Sequence, residues 1–176
     1  MKLNIGCGLK IKQGYINVDK DDYGDSRILI HDLSTFPWPF PDNQFEEVQA
    51  FEILEHLPDQ VATMTEIHRV CQDGASVIIS VPHFSGENTW ADPTHLRGYT
   101  TRTFKYFCEG GLYPMFRFKK QELRVSAALP ILNIIPKILG YRLYERMFCY
   151  LLPCQGLRVF LENMTEHGHR PERKLC

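Results

Sequence analysis

Residues 1–19 read MKLNIGCGLKIKQGYINVD. A short apolar run, residues 2–5, ends at Gly6, and Gly8 follows almost at once. Residues 14–19 (GYINVD) alternate and close on Asp19, which predicts a second strand ending in an acid. A glycine turn closing one parallel strand lets a ligand approach the backbone. An acid closing the next strand is placed to accept both hydroxyls of a ribose. Both features fall at the carboxyl edge of an open α/β sheet, where such folds form their ligand crevice. Gly6, Gly8 and Asp19 therefore predict a nucleoside site. A dinucleotide is disfavoured, because its pyrophosphate wants a third glycine and a helix N-terminus behind the turn. Ile11 stands where that glycine would be, and only LKIKQ separates Gly8 from Gly14. Asp19 also comes too soon, since about 20 residues separate glycines from acid in dinucleotide units. A ligand with a ribose and no phosphate fits better, and S-adenosylmethionine is one.

Outward from this stretch, strand and crossover alternate. SRILIHDL (26–33) is a nearly continuous apolar run, predicting a strand buried on both faces. Pro37, Pro39 and Pro41 then exclude a regular helix. A strand is expected over 47–51 and a helix over 58–72, with Val61, Met64, Ile67 and Cys71 on one face. Pro58 suits its first turn and Gly74 its C-terminal cap. ASVIISVP (75–82) predicts a fifth strand and 83–99 a long loop. TTRTFKYFCEGG reads as a short helix, FRFKKQELRV as a strand, and GLRVFLEN as the last strand. The order predicts an α/β fold with a parallel sheet. One domain is expected over 1–163, carrying a helical insert at 127–153 and followed by a tail, 164–176.

Composition agrees with one globular domain. The 176 residues are 44% hydrophobic and 23% charged with net charge −1, which gives no general pull toward nucleic acid. None of the six cysteines forms a C-x-x-C pair, and the opening lacks a leader's charged and apolar regions. Reduced thiols in the cytoplasm are therefore expected, with no metal site. His167, His169 and Cys176 are expected in a frayed tail.

Several segments, in order, resemble class I S-adenosylmethionine-dependent methyltransferases of the compact branch called methyltransferase type 11. LNIGCG is similar to the first cofactor motif and INVD to the ribose-binding acid. HDLSTFPWPFPDNQFEEVQAFEILEHLPD is similar to the D-L…P-F-P-D…L-E-H stretch, and DPTHLRGYTTRTFKYF to a D-P-T-H segment in part of the family. The resemblance implies a Rossmann-like three-layer sandwich around a seven-stranded mixed sheet, its last strand antiparallel. It implies that Asn4, Gly6, Cys7, Gly8, Asp19 and Lys20 hold the cofactor, with Asp32 and Leu33 at the adenine and Phe51 and His56 toward the methionine side. Asn4 stands where many members carry an acid, so it would orient the ligand's ammonium through its carbonyl without charge. His56 is equally readable as packing, and Asp32 as the cap of its own turn.

Methyl transfer is a displacement at an activated sulfonium, so the protein mainly aligns the reactants and excludes water. A hydroxyl acceptor also needs a base. His95, beside Asp92, is the first candidate and His83, after the fifth strand, the second; either is also readable as a loop histidine capping backbone groups. His68 reads as a boundary residue and Glu55 as a partner for backbone or an arginine. Trp90 and Tyr99 read as aromatic walls or as core. Prolines and charges break the insert too often for it to span a bilayer. Its stripe of Tyr144, Met147, Phe148, Leu151 and Leu152 predicts a helix packed on the sheet, ahead of a lid, a dimer face or a membrane-surface contact. The expected acceptor is a hydroxyl of a small molecule or glycan, and the expected state a monomer or homodimer. An N- or C-methyltransferase and a non-catalytic cofactor-binding module are the alternatives.

Overall fold

A computed structural model describes residues 1–125 and 130–164, so His167, His169 and Cys176, expected in a frayed tail, lie outside the described residues. Strands β1 (Lys2–Ile5), β2 (Tyr15–Asp19), β3 (Ile28–Ile30), β4 (Phe45–Phe51), β5 (Cys71–Pro82), β6 (Phe116–Arg124) and β7 (Gly156–Asn163) form one sheet. Its order is β3-β2-β1-β4-β5-β7-β6. Neighbours from β3 to β5 pair parallel, and β7 runs antiparallel to both β5 and β6. This is the mixed seven-stranded sheet expected from the resemblance. The central strands supply the core: Leu3, Ile5, Val48, Ala50, Val77, Ile79 and Val159 are fully buried.

β3 departs from expectation. It is three residues long, with Leu29 41% and Ile30 49% exposed. It lies at the sheet edge beside β2 alone, so its apolar run is covered less than that of an interior strand.

Helix α1 (Gln60–Val70) crosses from β4 to β5. It begins after Pro58, at Asp59, whose side chain accepts from the Ala62 amide at 2.9 Å. It ends without a glycine cap: Cys71 is already extended and opens β5, leaving Gly74 at φ 71° inside that strand's span. The buried face is Thr63, Met64, Glu66, Ile67 and Val70, while Val61 is exposed. Glu66 and Arg69 on α1 clamp the proline-rich crossover. Glu66 Oε2 accepts the Trp38 amide at 2.8 Å, and Arg69 donates to Glu66, Asp42 and the carbonyls of Trp38 and Phe40. This network holds Trp38 in the core (2% exposed), where its indole donates to the Leu33 carbonyl. Arg69→Ala is expected to lower unfolding free energy by about 2–3 kcal/mol, as for charge-assisted bonds with buried partners, whereas Asp42→Ala at the exposed end costs under about 1 kcal/mol. Urea denaturation of the two variants measures the difference.

The second half is less helical than its pattern suggests. The 83–99 segment holds one short helix, α2 (Asn88–Ala91), and 103–107 is a 3-10 turn. Within the insert, α3 (Ile135–Leu139) and α4 (Tyr141–Leu143) are short, and Tyr144–Phe148 continues as a π turn. Of the predicted stripe, Tyr144 is buried and Leu152 half-buried, while Met147 (64%), Phe148 (38%) and Leu151 (83%) face outward. The insert is therefore anchored through fewer residues than a helix lying flat on the sheet. One anchor is Glu145, which accepts from the Thr101 amide and hydroxyl and meets His83 Nε2 at 3.1 Å. No described helix is long and apolar enough to cross a membrane.

Candidate active site

The carboxyl ends of β1, β2, β4 and β5 carry the loops that form the candidate site. After β1, residues 6–14 turn without forming a helix, so the turn has no helix N-terminus for a pyrophosphate to meet. Gly6 sits at φ 63° and Gly8 at φ 48°, the left-handed region that favours glycine. Their surroundings differ. A Cβ on Gly6 would lie 2.5 Å from Ile53 Cβ and still nearer its Cγ1, whereas one on Gly8 would meet nothing within 4 Å. Gly6 is thus required by packing against the turn after β4, and Gly8 leaves an open cradle over the backbone.

Asp19 ends β2 and organises that cradle. Its Oδ2 accepts the Gly8 amide at 2.8 Å, its Oδ1 the Asp21 amide at 3.3 Å, and its carbonyl the His31 amide at 2.8 Å. The carboxylate is thereby fixed beside the open face of Gly8, each oxygen keeping a lone pair beyond its backbone bond, which suits a vicinal diol. Lys20 next to it is exposed. Cys7 is buried, and its amide donates to the Val18 carbonyl; burial, then the Asp19 charge, push its thiol pKa up.

Asn4, 3% exposed, donates to Asn17 Oδ1 at 2.9 Å and to the Lys10 carbonyl at 3.2 Å. Asn17 in turn bonds both backbone groups of Lys12. Two side-chain amides thus hold the glycine loop in place of a helix. Asp32 is exposed and its Oδ1 accepts the Ser34 amide, so it caps its own turn; Leu33 is buried beneath it. Phe51 ends β4 beside two cations, with Lys12 Nζ 4.1 Å and Arg158 Cζ 5.4 Å from its ring centre. Neither cation was singled out from the sequence. Lys12 lies in the loop and Arg158 on the antiparallel β7, so only the tertiary fold brings them to Phe51.

The turn after β4 links two halves. Glu52 adopts φ 54°, rare for a residue with a side chain, and its amide and carboxylate are held by the Ser80 carbonyl and hydroxyl. Next to it, Ile53 packs on Gly6. Two residues further, the Glu55 carbonyl accepts the Leu96 amide at 2.8 Å. The same turn therefore touches the glycine loop on one side and the DPTHL loop on the other.

On that second side His56, His95, Glu55 and Asp92 come together. The His56 and His95 rings meet edge to face with centres 4.7 Å apart. His95 Nε2 lies 4.0 Å from Glu55 Oε1 and 3.8 Å from Asp92 Oδ2. His95 Nδ1 is 3.1 Å from the Thr89 carbonyl. A carbonyl only accepts, so Nδ1 donates, which leaves Nε2 as the nitrogen facing the two acids. Glu55 is fully buried, and burial raises its pKa to about 8. The local signal for Glu55 is an acid set between two buried leucines, Leu54 and Leu57.

His83 is elsewhere. It is fully buried, with Nδ1 2.9 Å from Ser85 Oγ and Nε2 facing Glu145. Burial raises the Glu145 pKa, but hydrogen bonds from His83 and Thr101 outweigh it and hold the carboxyl below its ordinary value. His68 bonds Asn163 on β7 at 2.7 Å, a structural contact. Tyr99 is core, stacked on Phe104, while Trp90 is 69% exposed.

The sheet order is that of the class I methyltransferase fold. Residues 3–79, β1 into β5, match the family model described as "Methyltransferase domain". The chain is similar to an S-adenosylmethionine-dependent methyltransferase of Archaeoglobus fulgidus (16% identity, TM-score 0.62, covering 92% of this chain and 85% of that one). It is similar also to one from Mesorhizobium loti (13%, TM-score 0.61, 92% and 90%). The [4+2]-cyclase SpnF shares the fold too (15%, TM-score 0.60, 93% and 74%), so the fold by itself does not fix the reaction. An uncharacterized methyltransferase of Schizosaccharomyces pombe is 43% identical over 44 residues; that stretch covers 25% of this chain and only 16% of the relative.

Proposed function

We propose that this chain transfers a methyl group from S-adenosylmethionine to a hydroxyl of a small molecule or glycan. The observation that carries this reading is the turn after β4, which packs Ile53 on the glycine loop and joins Glu55 to the His95 loop. In this reading it brings His95 Nε2 toward the cofactor crevice. In this reading Gly6, Cys7 and Gly8 form the backbone cradle, with Asn4 keeping it in shape. Asp19 accepts the ribose hydroxyls, and Lys20 flanks it. Asp32 and Leu33 border the adenine, while Phe51 and His56 border the methionine side. His95 Nε2 takes the acceptor's proton as the methyl group arrives, and the Asp92 carboxylate, 3.8 Å away, stabilises the imidazolium. His83, enclosed by Ser85 and Glu145, supports the insert and is the second candidate only if Glu145 moves away.

The test follows S-adenosylhomocysteine release from S-adenosylmethionine with a panel of phenols, sugars and amines. Activity is expected with hydroxyl acceptors. His95→Ala is expected to lower the rate by about 10²–10⁴-fold while S-adenosylhomocysteine affinity stays within about twofold. Methylation of amines alone, unaffected by His95→Ala, would instead support the N-methyltransferase reading.

A further inference from the structure

We propose that Glu55, His56 and His95 form a binding site for a divalent transition-metal cation, with Asp92 at its open side. One ligand atom from each of the three lies within 4.8 Å of the others. Glu55 is fully buried, and neither carboxyl oxygen has a hydrogen-bond partner among the described residues. An unpaired buried carboxylate is costly, so such a group calls for a cation or a proton.

The surroundings favour a cation. Histidine ligands are normally held by a hydrogen bond from the nitrogen that does not bind metal. His95 Nδ1 donates to the Thr89 carbonyl. The Thr94 hydroxyl is 2.6 Å from Asp92 Oδ1, which only accepts, so it receives the His56 Nδ1 proton at 2.9 Å. Each ring thus has its Nδ1 held by a hydrogen bond, which leaves Nε2 as the nitrogen available to the cation. Two imidazoles and one carboxylate suit zinc, iron(II), cobalt(II) or manganese(II) rather than calcium. Ligand atoms around a tetrahedral cation lie about 3.3 Å apart, from bonds near 2.0–2.1 Å. The ligand atoms, up to 4.8 Å apart, therefore have to close by as much as about 1.5 Å on binding.

The consequence for catalysis, and only that, rests on the proposed methyl transfer. Were a cation bound, His95 would hold it in place of acting as base, and the cation would lower the pKa of an acceptor hydroxyl, whose proton would pass to solvent water.

The test uses the full chain, stripped with EDTA and titrated with cobalt(II) chloride, with visible d–d absorption and calorimetry as readouts. One cobalt per chain is expected. Glu55→Gln and His95→Ala should each weaken binding by at least about a hundredfold. Thr94→Ala, at an exposed position, should weaken it about tenfold through the His56 orientation, and His31→Ala should change nothing. Folding of each variant is checked by circular dichroism. A folded wild-type chain that binds no stoichiometric cobalt overturns the proposal, as does binding unaltered in both Glu55→Gln and His95→Ala. Parallel S-adenosylhomocysteine titration keeps the two readings apart. Cofactor binding without cobalt binding removes only the cation site, and cobalt binding without cofactor binding removes only the methyltransferase reading.

Discussion

Replacing Gly6 by alanine is expected to lower the melting temperature by roughly 4–20 °C. Two costs combine. The left-handed conformation at φ 63° costs about 1–2 kcal/mol for a residue with a Cβ. The added carbon would also sit 2.5 Å from Ile53 Cβ, and such overpacking costs about 1–3 kcal/mol. A chain of this length loses about 2–4 °C per kcal/mol. Gly8→Ala is the control: its φ is 48°, but nothing lies within 4 Å of its Cβ. Only the conformational cost remains, so its melting temperature falls by roughly 2–8 °C. Differential scanning calorimetry of the two variants separates a glycine required by packing from one that leaves room for a ligand. Ile53→Gly in the Gly6→Ala background should recover part of the loss, because it removes the Cβ as well as the outer carbons that the new carbon strikes.

Asp19→Ala is expected to weaken S-adenosylhomocysteine binding about tenfold to hundredfold. The carboxylate holds the Gly8 and Asp21 amides and in the proposed site also accepts the ribose hydroxyls. A charged hydrogen-bonded acceptor of this kind contributes about 1.5–3 kcal/mol, and every 1.4 kcal/mol is a factor of about ten. Asp19→Asn offers one oxygen in place of two and should fall between the two proteins. Isothermal titration at fixed salt measures the series. Equal affinity across it would detach Asp19 from the ligand.

The glycine loop and its acid were legible in the sequence because their signals are local. A run of apolar residues, a glycine, a second run and an acid suffice to place β1, β2 and the crevice between them. The sequence did not reveal why Gly6 is glycine: Ile53, its close neighbour, arrives from the far end of β4. The exposure of β3 was illegible for a related reason. An apolar triplet reads alike at the edge and in the interior, and only the strand order decides. The insert's stripe promised packing that Met147 and Leu151 do not make, because helical periodicity records a face without recording a partner. The sequence singled out His95 through its position beside Asp92 in the loop after β5. Its association with Glu55 and His56 was not legible, since it depends on the Leu96 amide meeting the Glu55 carbonyl across the fold.

The central claim is that the crevice at Gly8 and Asp19 takes an S-adenosyl ligand and not a dinucleotide. Calorimetric titration of the full chain with S-adenosylhomocysteine, and with NADH in parallel, tests it most directly. The predicted result is a single site for S-adenosylhomocysteine with Kd in the micromolar range, about −8 kcal/mol, and no heat from NADH. A folded chain that binds no S-adenosylhomocysteine, or binds NADH at least as tightly, contradicts the account.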